Sequence, residues 1–369
     1  MKVHHLLHHT SGLPDYINLF ETHWEPHQPV SKKRVATNTH VLEMLKQHSP
    51  KPLFPPGEQY EYSNTGYVVL ASIVAKVSGQ SFGDFMKERV FHPLKMDRAY
   101  VYSEKGNSGK RAYGFLGESE KKKPNDLNYL AGIHGDGGIY ASLADLRKWD
   151  RALHGRALLS TQSLSLAFKP LTLNNGETYP YGFGWDLIED SNGPVMAHSG
   201  SWLGFRAYFR RVPHQQRVIA VLTNNTSSAT RDLVYALLDI MDGKPYEAPK
   251  MSIVGPLAIK FMENGADAGV AAFWALKKDG GDRYNFSEGE LNDLGYLMVK
   301  RKRLDLALAA FQLNVEMYPK KSNPHDSLGE AYMLNGMTEK ALKSFKRSLA
   351  LNPENHNAKA MINKLKAGE

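Results

Sequence analysis

The chain has no cysteine and no long apolar run. The first absence excludes disulfides, thiolate zinc sites and cysteine nucleophiles, and leaves the redox compartment undefined. The second predicts no membrane-spanning helix, which would need some 18 or more consecutive apolar residues. The opening Met1-Lys2-Val3-His4-His5 lacks the apolar core of a signal peptide, so no export signal is expected. A basic segment interleaved with aromatics is also missing. The net charge of +8 is spread along the chain, and nucleic acid is not an expected partner.

What is present fits an ordinary soluble protein: 42% hydrophobic and 23% charged residues over 369 positions suggest about two domains. The C-terminal end repeats itself. Leu294, Gly295, Ala307, Leu308, Phe311 and Pro319 recur 34 residues later as Leu328, Gly329, Ala341, Leu342, Phe345 and Pro353. That period, with small residues at helix crossings and a proline closing each unit, is the tetratricopeptide signature. Each unit predicts two antiparallel helices. Two repeats bury little core alone, so the apolar segment 256–278 is expected to add a helical layer, and a last helix through Met361 and Leu365 to cap the array. The run from Asp242 to Pro249, broken by two prolines and a glycine, reads as a linker. The expected organisation is a first domain over 1–245, linker and packing helices over 246–289, and two repeats with a capping helix over 290–369.

The first domain mixes element types. Gly66 to Val77 is apolar nearly all round and predicts a buried helix. Ser142 and Asp145 form a capping box that opens a helix holding Leu146 and Trp149. Phe205–Arg210 and Arg217–Thr223 predict strands joined by the turn at Pro213–Gln216, followed by a helix from Arg231 to Met241. The expected class is α+β: an antiparallel sheet flanked by helices, followed by an all-α repeat domain.

Three clusters carry candidate chemistry. Tyr62-Ser63-Asn64 follows the turn-forming Pro55-Pro56-Gly57-Glu58. Beside a positive charge, Tyr62 could hold a lowered pKa and act as general base, and Asn64 could bind a substrate amide; a packed tyrosine and a turn asparagine fit the same residues. His198-Ser199-Gly200-Ser201 opens a strand segment. There Gly200 lets a substrate backbone lie close, the Ser201 amide could be one arm of an oxyanion hole, and His198 could steer a carboxylate or carbonyl. Trp185 and Trp202 could line the cleft or sit in the sheet core. His4 with His8, and His5 with His9, have the one-turn spacing of zinc ligands, but no glutamate follows in the metalloprotease pattern. No metal and no cofactor are expected.

Taken together, His5-Leu6-Leu7-x-His9-Thr10-Ser11-Gly12-Leu13-Pro14, Pro56-Gly57-x-x-Tyr60-x-Tyr62-Ser63-Asn64-x-Gly66-Tyr67, Gly137-Gly138-Ile139-Tyr140-Ala141-Ser142, Tyr181-Gly182-x-Gly184-Trp185 and His198-x-Gly200 resemble the serine β-lactamase-like hydrolases. That group includes class C β-lactamases, D-alanyl-D-alanine peptidases and related esterases. The resemblance covers residues 3–240. It implies a penicillin-binding-protein-like fold and a serine that attacks a carbonyl to give an acyl-enzyme. By the same resemblance Tyr62 matches the proton-transfer tyrosine, Asn64 the amide-binding asparagine, and His198 and Gly200 the Lys/His-x-Gly element. Histidine in place of lysine favours peptidase or esterase substrates over β-lactams.

The family's Ser-x-x-Lys lies upstream of the His-Leu-Leu-x-His-Thr-Ser-Gly segment. Here that segment starts at His5, and the one Ser-x-x-Lys, Ser119 to Lys122, follows Tyr62–Asn64 inside a hydrophilic run. The expectation is a fold incomplete at its N-terminus and a chain inactive as written. Its partners would be a small-molecule or peptide substrate and, through the repeats, another protein. The alternative is a non-catalytic module that binds peptides or cell-wall fragments. The family is largely exported, which leaves localisation open.

Overall fold

The computed structural model describes residues 1–24, 35–103, 111–116, 123–155, 157–190, 193–226 and 229–367. Ser119 and Lys122 lie outside them. The chain divides into two compact units: Met1–Phe115 with Pro124–Asn224 and Thr230–Pro245, and Leu116–Lys123 with Asn225–Ala229 and Tyr246–Glu369.

In the first unit, α1 (Val3–Leu7), α2 (Tyr16–His23), α3 (Asn38–His48) and α4 (Asn64–Ser78) form a helical part. Asp15 caps α2, accepting the Ile17 N–H at 2.9 Å. Tyr16, Phe20, Val41, Met44 and Val68 share a core with Leu130 and Ile133. Helix α4 is buried along Thr65, Gly66, Val68 and Ala71, not all round, and Val77 at its far end is 82% exposed. The reason is that the helix packs along one stripe. At Gly66 a Cβ would stand 3.3 Å from the Leu6 carbonyl oxygen, so glycine sets the approach to α1. Thr65 Oγ1 accepts from Tyr16 N–H and donates to the Pro14 carbonyl, both at 2.7 Å.

The sheet has four antiparallel strands, β1 (Asp186–Asp190), β2 (Gly193–Trp202), β3 (Phe205–Val212) and β4 (Arg217–Thr223), ordered β4-β3-β2-β1. Consecutive strands are neighbours in the sheet and antiparallel, as expected for hairpins. Val195, Ala197, Tyr208, Val212 and Ile219 form a core with Val234 and Leu238 of the helix Thr230–Met241. The helix Leu143–His154 starts at the expected box: Ser142 Oγ accepts the Asp145 N–H, and Asp145 Oδ2 accepts the Ser142 N–H at 3.0 Å. It is tied to the sheet by a buried ion pair, Arg211 Nε to Asp150 Oδ1 at 2.8 Å. His198 does not open its strand, as the sequence suggested; β2 begins five residues earlier, at Gly193.

In the second unit, the segment expected to supply the packing layer is two helices, Val254–Asn264 and Ala266–Gly280. They part at Gly265, whose φ of +86° favours glycine. Leu257, Phe261 and Phe273 share one core with Leu291, Leu294, Leu306 and Phe311. The repeat helices are Glu288–Lys300 with Leu304–Met317, and Ser322–Leu334 with Thr338–Leu351. Gly295 and Gly329 face the rings of Phe311 and Phe345. The last helix, His356–Ala367, packs Ala358 and Ile362 on Ala341 and Phe345. No helix among the described residues is long and apolar enough to cross a membrane.

Candidate active site

Backbone hydrogen bonds bring the motifs together. The segment after α1 runs beside residues 53–61: Leu53 N–H donates to Gly12 O at 2.9 Å, Gly57 N–H to Thr10 O at 2.8 Å and Glu61 N–H to His9 O at 2.9 Å. Asn174 N–H donates to Gly57 O at 2.8 Å, and Leu171 N–H to Tyr181 O at 3.0 Å. Tyr181 also bridges to Asp186 at the start of β1. His9, Tyr62, Tyr181 and His198 therefore meet although 189 positions separate the first from the last.

At their centre is a chain of polar contacts. The Ser63 N–H donates to His9 Nδ1 at 3.1 Å, and His9 Nε2 lies 3.1 Å from Tyr181 Oη. Tyr181 Oη lies 3.0 Å from His198 Nε2, and His198 Nδ1 lies 2.7 Å from the Ser199 carbonyl oxygen. His9 is only 1% exposed. Burial, and then the nearby His198, lower its pKa to about 4, so the ring is neutral near pH 7. Burial first, and neighbouring tyrosines after it, push the Tyr181 hydroxyl far up. In the sequence Tyr181 stands only as a motif letter, and His9 as a motif letter with a zinc-ligand spacing to His5; neither has a catalytic role assigned there. Their signal lay in His-Thr-Ser-Gly and Tyr-Gly-x-Gly-Trp, but nothing local shows that the two side chains touch.

Tyr62 belongs to this cluster, its ring 4.1 Å from that of His9 and 6.2 Å from that of His198. The lowered pKa expected beside a cation is not found. Burial acts first and the carboxylates of Asp136, Asp15 and Asp186 next, pushing the phenol up to about 12. With that value only about one molecule in 10⁵ is phenolate at pH 7, so here the group is a proton donor. Asn64 stands at the start of α4, where its Nδ2 donates to Asp15 Oδ2 at 2.8 Å and its N–H to the same oxygen at 3.2 Å. The carboxamide is thereby oriented, and its Oδ1 is left to accept.

The remaining predicted residues lie at the end of β2. Pairing with β1 stops at Ala197, whereas pairing with β3 continues to Trp202. Residues 198–202 thus have a strand on one side only among the described residues, and 199–202 are exposed. Gly200 lines a cavity of about 410 Å³ with His198, Trp185, Trp149, Phe209 and Leu222. Ser201 and Trp202 do not line it. They pair with Arg206 and Phe205 at the β2–β3 turn, and Trp202 is 37% exposed. The histidines at the N-terminus form no shared ligand set. Helix α1 ends at Leu7, His9 has a left-handed φ of +55°, and both His9 nitrogens are engaged.

A histidine–tyrosine chain against a strand edge that is open among the described residues, with a tyrosine and an oriented asparagine beside it, is an arrangement suited to holding a carbonyl compound. Comparison with known proteins agrees with the motifs. The model of the beta-lactamase family matches residues 1–240, and the chain belongs to that family. A tetratricopeptide repeat model matches residues 323–355. Among curated relatives, penicillin-binding protein 4* of Bacillus subtilis (strain 168) is 35% identical over 265 residues, covering 68% of this chain and 57% of its own length. A D-aminopeptidase of Gluconobacter oxydans (strain 621H) is 27% identical over 259 residues, covering 69% of this chain and 47% of its own. The chain thus spans about half the length of these curated relatives. Among solved structures, the octameric penicillin-binding protein homologue from Pyrococcus abyssi superposes with a TM-score of 0.56 at 27% identity, covering 66% of this chain and 56% of that one.

Proposed function

We propose that residues 1–245 hold the substrate-binding and proton-handling side of an acyl-enzyme hydrolase for amide or ester carbonyls, nearer to peptidases and esterases than to β-lactamases. The observation that carries this reading is the convergence of Tyr62, His9, Tyr181 and His198 beside the open end of β2. In it Tyr62 passes a proton, Asn64 Oδ1 accepts a substrate amide N–H, and the β2 edge at Gly200 and Ser201 receives the substrate backbone. Trp202 flanks that edge, and His198 is the neutral counterpart of a lysine. A D-amino acid amide is a fitting probe, since a relative is a D-aminopeptidase.

The only Ser-x-x-Lys within the 369 residues is Ser119 to Lys122, in a hydrophilic run after the Tyr62 motif. Removing a serine nucleophile typically costs several orders of magnitude in rate. We therefore expect the 369-residue chain alone to bind and not to turn over. The elevated Tyr62 pKa favours this, because burial and the nearby carboxylates, with no cation among the described residues to oppose them, keep the phenol protonated. On the same ground the second reading is a binding module, with residues 246–289 as linker and packing helices and the repeats at 290–369 engaging a protein partner. The Tyr296–Glu330 and Asn357–Glu330 hydrogen bonds, 2.8 and 2.9 Å, set polar side chains along successive helices for it.

The test is titration of the purified chain with D-phenylalanine amide, followed by NMR, beside incubation with a fluorescent penicillin and a fluorophosphonate. The expected result is saturable shifts at Tyr62, Asn64 and His198 with no covalent adduct. An adduct on Ser119 would overturn the assignment of inactivity, and no shifts at those residues would overturn the site.

A further inference from the structure

We propose that Tyr181 is a positioning residue for His198, donating to its bare Nε2 and so locking the ring in the tautomer that the Ser199 carbonyl selects; this rests on reading His198 as part of the carbonyl-binding site. The two ends of the polar chain are backbone groups with opposite and unalterable roles. The Ser63 N–H can only donate, so His9 Nδ1, 3.1 Å from it, is bare and the His9 proton sits on Nε2. That proton points at Tyr181 Oη, 3.1 Å away, which accepts it. At the other end the Ser199 carbonyl can only accept. His198 Nδ1, 2.7 Å away, therefore carries the proton, and Nε2 of the neutral ring is bare.

Tyr181 joins the two halves. Its oxygen accepts from His9, and its single proton goes to His198 Nε2 at 3.0 Å. The Tyr67 hydroxyl is also within hydrogen-bonding reach of Tyr181, but its own proton is given to the Leu7 carbonyl at 2.9 Å. Tyr67 thus competes for the Tyr181 proton only as an acceptor, and the imidazole nitrogen is the more basic of the two. Every donor and acceptor in the line is used once, and the direction of donation runs from Ser63 to Ser199. The line therefore holds one His198 tautomer and one ring plane against the strand edge where a carbonyl would lie. Orienting groups of this kind act through tautomer choice, and losing one can cost far more in rate than in stability.

The test is imidazole ¹⁵N NMR on the full chain near pH 7.5. In the wild type, His198 should show a protonated Nδ1 and a bare Nε2, and His9 the opposite pattern. The Tyr181 hydroxyl proton should couple to His198 Nε2. In Tyr181→Phe the His198 Nε2 loses its donor, so its ¹⁵N shift should move to that of an unbonded imidazole nitrogen, while Nδ1, held by Ser199, keeps its proton and His9, held by Ser63, keeps its own pattern. A protonated Nε2 on wild-type His198, or an unchanged His198 in a folded Tyr181→Phe chain, would overturn the proposal. The absence of the hydroxyl coupling would do so whether or not the variant folds. None of these signals involves ligand binding or a covalent adduct, so the proposal and the assigned function fail separately.

Discussion

In the repeats, Phe311 and Phe345 lie against Gly295 and Gly329, in each case 16 residues earlier in the chain. In the first unit, His9 is held by Ser63 and Tyr181, 54 and 172 residues away. Both kinds of side chain are almost fully buried. The phenylalanines need only shape, which a neighbouring helix supplies, and dispersion contacts are not directional. His9 brings two polar nitrogens inside, and each must meet a partner of the right kind or cost about 1–3 kcal/mol. Local repetition can solve the first problem. The second is solved only when distant segments arrive in register.

If that contrast is correct, the first unit should be most sensitive where a long-range polar pair is broken. Arg211→Ala leaves Asp150 buried without the guanidinium 2.8 Å away, and should lower unfolding stability by about 3–5 kcal/mol. Urea unfolding of the full chain measures it; a loss below about 1 kcal/mol would show that the pair is dispensable.

Next in size is the response to acid. An unfolded histidine titrates near the ordinary value of 6.5, whereas folded His8 and His9 are both lowered to about 4, chiefly by burial. As pH falls the unfolded chain takes up these protons first, so their stabilisation is complete above 6.5 and lost towards 4. For the fully buried His9 alone this amounts to about 3 kcal/mol. Asp136 works the other way. Burial raises it from 3.8 to about 6, so the folded form protonates first and acidification through that range favours folding. Two histidines against one carboxyl predict a net loss between pH 6.5 and 4, read by unfolding at stepped pH. A gain in stability across that range would contradict the burial of the histidines.

The smallest effect separates shape from propensity in the repeats. Alanine is the better helix former by about 1 kcal/mol, so propensity alone would make Gly329→Ala stabilising. A Cβ there would stand 2.7 Å from Phe345 Cε1, however, and overpacking of this kind costs about 1–3 kcal/mol. We expect a net loss of about 1 kcal/mol by thermal unfolding. A stabilised variant would mean that the ring moves aside freely.

The same contrast explains what could be read in advance. The repeat helices, the Ser142–Asp145 capping box, the β3–β4 hairpin and the helix after it were legible because each depends on neighbours within a few residues. The break at Gly265 was not, because one apolar helical pattern continues across it. The open side of α4 was hidden for a similar reason: an apolar surface does not say whether another element covers it. Of the site residues, Tyr62, Asn64 and His198 were found through motif order. Asp15, which orients Asn64, gave no sign beyond its place before α2, and the rise in the Tyr62 pKa comes first from burial and then from carboxylates such as Asp136 and Asp186 of distant segments.

The sequence by itself determined the element types, the repeat period and the string of motifs that places the chain in its family, because periodicity, capping and turn chemistry are local. Tertiary structure decided that His9, Tyr181 and His198 form one directed line of hydrogen bonds, that Asn64 is held by Asp15, and that β2 ends with a free edge. A hydrogen bond needs its donor and acceptor within about 3 Å and aligned, and the distance between residues 9 and 198 along a chain carries no record of that meeting.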